Sequence, residues 1–209
     1  MDSYKTVEKT TESEIVIERS RFITMVAPCA DEQAARAVLL ERKKQHYSAT
    51  HNCFAYVTDG GKYGKFSDDG EPGGTAGQPI MSAIQSAGLT NVIVIVTRYF
   101  GGIKLGAGGL TRAYLRCAAE GIKAAPVKTY DKCKVLEISL SYDEYQSFLR
   151  IKNAGDFKVI NTGYENDVKL TVAVKSGAIG RFSQVFTDTF AGKAVFTEVK
   201  EDYFSFERI

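Results

Sequence analysis

The sequence predicts an α+β protein of two domains, and three observations support this prediction. Residues 92–96 are an unbroken run of β-branched residues, which is typical of a strand buried on both faces. A glycine-rich stretch and apolar residues at helical spacing follow, so the chain continues as loop and helix. After Pro126 the pattern becomes βαββαβ over about 75 residues, which fits a ferredoxin-like sandwich. We therefore expect domains at residues 1–128 and 133–209.

The first third of the chain is expected to form strands and one capped helix. Residues 14–18 and 21–26 have the composition of two short strands, joined by a turn or bulge. Asp31 is a suitable N-cap for a helix that extends to about Gln45. Residues 52–58 alternate in the manner of a further strand.

The middle of the chain is rich in glycine. Residues 59–79 contain seven glycines and two prolines without periodicity, which predicts a long loop. We expect residues 80–87 to form a short helix that leads into the buried strand. The helix after Gly109 ends at Pro126, and residues 127–132 are expected to be a polar connector.

The C-terminal pattern places two helices among four strands. Leu136, Ile138, Leu140 and Tyr142 alternate with polar residues, which predicts a half-buried strand. The remaining elements are expected as a helix from Asp143, strands at 157–161 and 168–174, a helix marked by Ile179, Phe182, Phe186 and Phe190, and a strand at 195–204.

Composition excludes several classes of protein. Hydrophobic residues make up 44% and charged residues 25%, as in an ordinary globular protein, and the net charge is only +2. Four widely spaced cysteines and two histidines do not suit a structural zinc site, so we predict no metal and no cofactor. No apolar run approaches the roughly 20 residues of a membrane helix. A reduced, cytoplasmic protein without a membrane partner is the expected class.

The glycine-rich stretch is also basic, which favours a phosphate-bearing partner. Three basic residues of the following helix fall on the side opposite its apolar stripe. Glycine allows the backbone to approach an anion closely, and a helix N-terminus attracts one. The predicted phosphate-binding residues are Arg98, Gly101, Gly102, Lys104, Gly106, Gly108, Gly109, Arg112 and Arg116. Each of these residues also has a purely structural interpretation, as part of a packing turn or of a solvated helix face.

Four segments carry a resemblance to a known family, namely residues 20–23, 49–53, 67–80 and 98–114. They resemble the IMPACT family, in particular its bacterial YigZ/YvyE-type members. The resemblance spans the N-terminal domain and implies a fold like the second domain of ribosomal small-subunit protein five. For the C-terminal domain it implies a likeness to domain five of elongation factor G.

The same resemblance implies a role in translation or its regulation under stress, with RNA, the ribosome or a translation-associated protein as partner. Eukaryotic members regulate translation by competing for an activator of a kinase, and they use an additional N-terminal domain for this. Nothing in these 209 residues matches that domain, so we do not expect the kinase-regulatory role.

Two alternatives remain open at the level of sequence. The first is a small-molecule enzyme that acts on a phosphorylated or nucleotide ligand between the two glycine-rich loops. His51, Asp68, Asp69 and Glu71 are its weak catalytic candidates, although such residues also serve loops as turn formers. The second is a protein-interaction module. No Walker A or dinucleotide-binding pattern is present, so nucleotide hydrolysis is unsupported.

Overall fold

The buried run at residues 92–96 lies at the centre of an antiparallel sheet in the computed structural model, which describes residues 2–151 and 156–206. The chain divides there into a larger unit, Tyr4–Lys128, and a smaller one formed by the rest of the described chain. Before the sheet comes strand β1 (Ser3–Val7). The strands of the sheet are β2 (Thr11–Ile17), β3 (Ser20–Pro28), β4 (His51–Thr58), β5 (Tyr63–Ser67) and β6 (Val92–Tyr99), in the order β2-β3-β6-β4-β5.

Helices cover both faces of this sheet, which explains the continuous apolar run in β6. The helices are α1 (Glu32–Gln45), α2 (Gly77–Ser86) and α3 (Gly106–Ala124). Because successive residues of a strand point to opposite faces, Val94 and Val96 pack with Tyr114 beneath α2 and α3. Ile93 and Ile95 pack on the other face with Ala35 of α1. Asp31 caps α1 as predicted, since its carboxylate accepts from the Ala34 N–H at 2.8 Å.

Three predicted boundaries in and after this unit are wrong. The expected loop at 59–79 contains a short 3-10 turn and the edge strand β5, and α2 begins at Gly77 rather than at residue 80. Helix α3 begins at Gly106, so three of the predicted loop glycines belong to its first turn. The expected connector at 127–132 is extended and forms the start of a long strand, β7 (Val127–Leu140).

The smaller unit has the predicted βαββαβ order of elements. After β7 come α4 (Tyr142–Ile151), β8 (Phe157–Tyr164), β9 (Val168–Lys175), α5 (Ile179–Phe190) and β10 (Phe196–Phe204). Its strands run antiparallel in the order β10-β7-β9-β8. Phe182, Phe186 and Phe190 extend from α5 into a core that also contains Leu136 and Leu170. Within the described ranges, no helix has the length and apolar character that crossing a membrane requires.

Candidate functional site

The loop after β6 is fixed against the neighbouring hairpin at Gly101. A Cβ atom built on Gly101 would lie 2.1 Å from the carbonyl carbon of Arg19, so no larger residue fits without displacing the backbone. The Gly101 N–H also donates a hydrogen bond to Ser20 Oγ at 3.2 Å. This glycine therefore serves close packing between two chain segments.

The segment that packs there is the tight turn between β2 and β3, and it brings Arg19 to the site. Glu18 and Arg19 both adopt left-handed backbone conformations, with φ of 45° and 64°, as a tight hairpin turn requires. Arg19 is exposed. The sequence predicted a turn or bulge at this point but carried no signal for which loop it would meet, so Arg19 was missed.

The start of α3 presents open backbone. Gly102 and Gly106 have φ of 87° and 69°, and apart from the adjoining backbone no atom lies within 4 Å of the position that a Cβ would occupy on either one. The N-cap residue, Leu105, offers no side-chain hydrogen bond to the first turn. The first amides of a helix lack intrahelical partners, and the helix dipole is positive there, so this end favours an anion.

Exposed basic side chains surround that backbone, as the sequence predicted. Lys104, Arg112 and Arg116 are exposed, and within residues 2–151 and 156–206 none of them pairs with an acid. Arg112 Nη1 lies 3.5 Å from the Cβ position of Gly108, so its guanidinium folds back onto the first turn of α3. We call Arg19, Lys104, Arg112 and Arg116 the basic face.

Arg98 does not belong to this face, which corrects the expectation that it is an exposed phosphate contact. Its residue surface is only 5% exposed, and its Nη1 donates to Glu71 Oε1 at 2.7 Å. Its Nη2 lies 3.3 Å from Ser20 Oγ, and its Cζ lies 5.4 Å from the ring centroids of both Phe22 and Phe100. Arg98 is thus a buried structural charge that links β6 to β3 and to the loop that contains Glu71.

Glu71 is the acceptor at the centre of this buried network. Its Oε1 also accepts a hydrogen bond from the Tyr114 hydroxyl at 2.7 Å, and its Oε2 lies 3.8 Å from His51 Nε2. Burial raises the pKa of Tyr114 far above its ordinary value, so the phenol stays protonated and donates. His51 Nδ1 lies 2.9 Å from the Asp69 carbonyl oxygen, which can only accept, so Nδ1 carries the proton.

Asp68 and Asp69 lie between β5 and α2, in the segment that we call the acidic glycine-rich loop, and both stabilise the loop itself. Asp68 accepts from the N–H groups of Gly74, Ala76 and Gly77 at 2.8–3.0 Å and thereby caps the start of α2. Although burial acts to raise it, these three hydrogen bonds together place the pKa of Asp68 below its ordinary value. Asp69 pairs with Lys43 at 2.6 Å, and its other oxygen accepts from the backbone N–H of Asn52.

The predicted catalytic candidates therefore come together only in part. His51 and Glu71 face each other, whereas Asp68 and Asp69 direct their carboxylates to backbone amides and to Lys43. Burial raises the pKa of the nearby Cys53 thiol to about 12, which leaves it protonated at neutral pH. In the described part of the chain, no group of three or more histidine, cysteine, aspartate and glutamate side chains is arranged to hold a metal ion.

The fold and the site together define a mixed α/β protein of two sheets with a basic, glycine-rich helix start. The model of the Impact N-terminal domain family matches residues 18–122, the region that contains this site. The chain is 37% identical to the IMPACT family member YvyE of Bacillus subtilis over 202 residues, which covers 96% of this chain and 92% of that protein. It is 31% identical to YigZ of Escherichia coli, with 88% and 92% covered.

The chain therefore belongs to the IMPACT family. The mouse protein named IMPACT is also similar, at 36% identity, but over only 42% of this chain and 29% of the mouse protein. A solved structure titled as that of a hypothetical protein has a TM-score of 0.63 and 30% identity, with 97% of this chain and all of that chain covered.

Proposed function

We propose that this protein binds RNA, in translation or its regulation, through phosphate contacts on the basic face. The observation that carries the proposal is the set of exposed basic side chains without acidic partners around open glycine backbone. A cation that already pairs with a carboxylate loses that pairing when it binds a phosphate. Lys104, Arg112 and Arg116 have no such cost, so their full charge is available to a polyanion.

The geometry at the start of α3 favours phosphate over other anions of similar charge. Open amides at a helix start and an arginine fork that folds back over them provide several donors for one tetrahedral group. Additional charges at Arg19 and Arg116 extend the surface beyond one phosphate. A backbone with repeated phosphates fits this arrangement better than a single small anion does.

Membership of the IMPACT family supports the same function. It also supports two assignments of fold that we propose with it. We propose that the larger unit has the fold of the second domain of ribosomal small-subunit protein five, and that the smaller unit is a ferredoxin-like domain similar to domain five of elongation factor G. Both likenesses are to domains of ribosome-associated proteins, which suits a cytoplasmic partner of the ribosome. The β10-β7-β9-β8 order supports the second assignment.

The test is binding to purified ribosomes and to labelled RNA, with wild type compared to the double variant Arg112→Ala/Arg116→Ala. The matched control is Arg36→Ala/Lys44→Ala, which removes two exposed charges from α1 on the opposite face of the sheet. We expect the α3 variant to lose about tenfold or more in affinity at low salt. With fewer phosphate contacts, fewer counterions are released from the RNA on binding. The α1 variant should bind like wild type.

Other outcomes would support the other classes of function. If both double variants bound RNA more weakly by the same factor, binding would depend on net charge alone. That result would contradict a defined phosphate site. Absence of RNA and ribosome binding by wild type at low salt would contradict the proposal outright. A small-molecule enzyme or a protein-interaction module would then have to explain the site, beginning at His51 and Glu71.

A further inference from the structure

Phe100 is an exposed aromatic residue directly beside the basic face. It follows β6, and 46% of its surface is open to solvent. Phenylalanine has no hydroxyl group that would favour such a position, in contrast to the exposed tyrosines Tyr47 and Tyr63. An exposed ring of this kind has an apolar face that a partner can cover.

The backbone at Phe100 is fixed at two points, and its ring contacts Arg98. The Phe100 N–H donates to Thr50 Oγ1 at 3.0 Å, and the next residue, Gly101, packs against Arg19 without room for a side chain. The ring itself lies 5.4 Å from Cζ of Arg98, whose guanidinium is anchored by Glu71. A surface aromatic that is fixed before binding loses little conformational entropy when a partner stacks on it.

Phosphate-binding groups lie within reach of the same ring. Gly101 places Arg19 next to Phe100, and Lys104 follows four residues later, so its Cα lies at most about 14 Å away. Aromatic side chains beside basic ones are the arrangement by which proteins bind single strands, because bases stack while phosphates pair. Paired bases in a duplex are stacked on one another and cannot use such a ring.

We propose that Phe100 is a base-stacking platform and that the RNA recognised by the basic face is single-stranded. This inference rests on the proposed function, because it takes the basic face as the phosphate-binding surface. The buried Glu71–Arg98 pair positions the platform, so the network beneath the loop contributes to recognition without touching the ligand.

The experiment compares a labelled adenine-rich RNA of about 12 nucleotides, a length that spans common single-strand sites, with the same strand annealed to its complement. Wild type is compared with Phe100→Leu, which keeps an apolar side chain without the ring, and Phe100→Tyr, which restores the ring. The matched control is Phe66→Leu, at the other half-exposed phenylalanine. Phe66 is level with Val94, roughly 20 Å along the sheet from Phe100.

We expect wild type and Phe100→Tyr to prefer the single strand, and Phe100→Leu to lose about tenfold in single-strand affinity with unchanged duplex binding. Phe66→Leu should behave as wild type. Equal wild-type affinity for single strand and duplex, or Phe100→Leu within about twofold of wild type, would overturn the inference and leave the proposed function standing. No binding of either RNA by wild type would instead contradict the proposed function itself.

Discussion

At the scale of single residues, the most informative difference from expectation is Arg98. It stands at the head of the basic motif in the sequence, and yet it is buried and paired with Glu71, 27 positions earlier. A buried charge requires a close partner of opposite charge, because desolvation would otherwise outweigh any gain. The sequence contained both residues but no local pattern that relates them.

The Glu71–Arg98 pair gives a direct prediction about stability. Glu71→Gln leaves the buried Arg98 charge without its counter-ion and should lower the free energy of unfolding by about 3 kcal/mol. Urea denaturation measures this change. The matched control is Glu14→Gln, which removes the acid from the exposed pair with Arg21, where solvent screens the interaction and the effect should be much smaller. Equal effects in the two variants would contradict the structural role of the buried pair.

At the scale of elements, the acidic glycine-rich loop is organised by Asp68. Its carboxylate satisfies amides at the start of α2 from nine residues upstream of Gly77. Ordinary N-caps lie directly before the helix, so a search for local capping residues does not find this one. Asp68 was therefore considered as a catalytic candidate from sequence, whereas its observed contacts are those of a remote cap.

The cap predicts a pH-dependent contribution to stability. The folded-state pKa of Asp68 lies below its ordinary value of 3.8, so its stabilisation is fully present above that value and is lost as pH falls through the folded-state pKa. Asp68→Ala removes the acceptor oxygens and should cost about 1 kcal/mol at neutral pH, as loss of an N-cap does.

The measurement is the free energy of unfolding of wild type and Asp68→Ala as a function of pH. The difference between the two proteins should be constant above the ordinary pKa and should narrow in stronger acid. A difference that stays constant into strong acid, or no difference at neutral pH, would contradict the capping role.

The spacing of apolar residues predicted most helices and strands correctly. It failed for a strand whose side chains are largely exposed, because such a strand has no apolar pattern. The buried run of β6 and the capped helix α1 were found because apolar spacing and an N-cap are local signals. Strand β5 was taken for loop because Tyr63–Ser67 contains a glycine and a lysine and is largely exposed at the sheet edge. An edge strand that buries neither face shows no alternation, so only pairing with β4 reveals it.

At the scale of the whole molecule, the candidate site is formed by segments distant in sequence. Arg19 packs on Gly101, and Glu71 pairs with Arg98, because β6 lies between β3 and β4 in one sheet. The sequence predicted the exposed charges of α3, since helical spacing determines which side chains face solvent. It could not predict which loops converge, because strand order depends on long-range pairing.

The central claim is that the basic face binds RNA phosphates, and the most direct measurement is the salt dependence of affinity. Affinity for single-stranded RNA is measured across a salt series for wild type, Arg112→Ala/Arg116→Ala and the control Arg36→Ala/Lys44→Ala. The slope of log affinity against log salt is negative, and we predict that it becomes less steep by about 1.4 in the α3 variant and is unchanged in the control, because two phosphate contacts are lost. A wild-type affinity independent of salt, or identical slopes for all three proteins, would contradict the account.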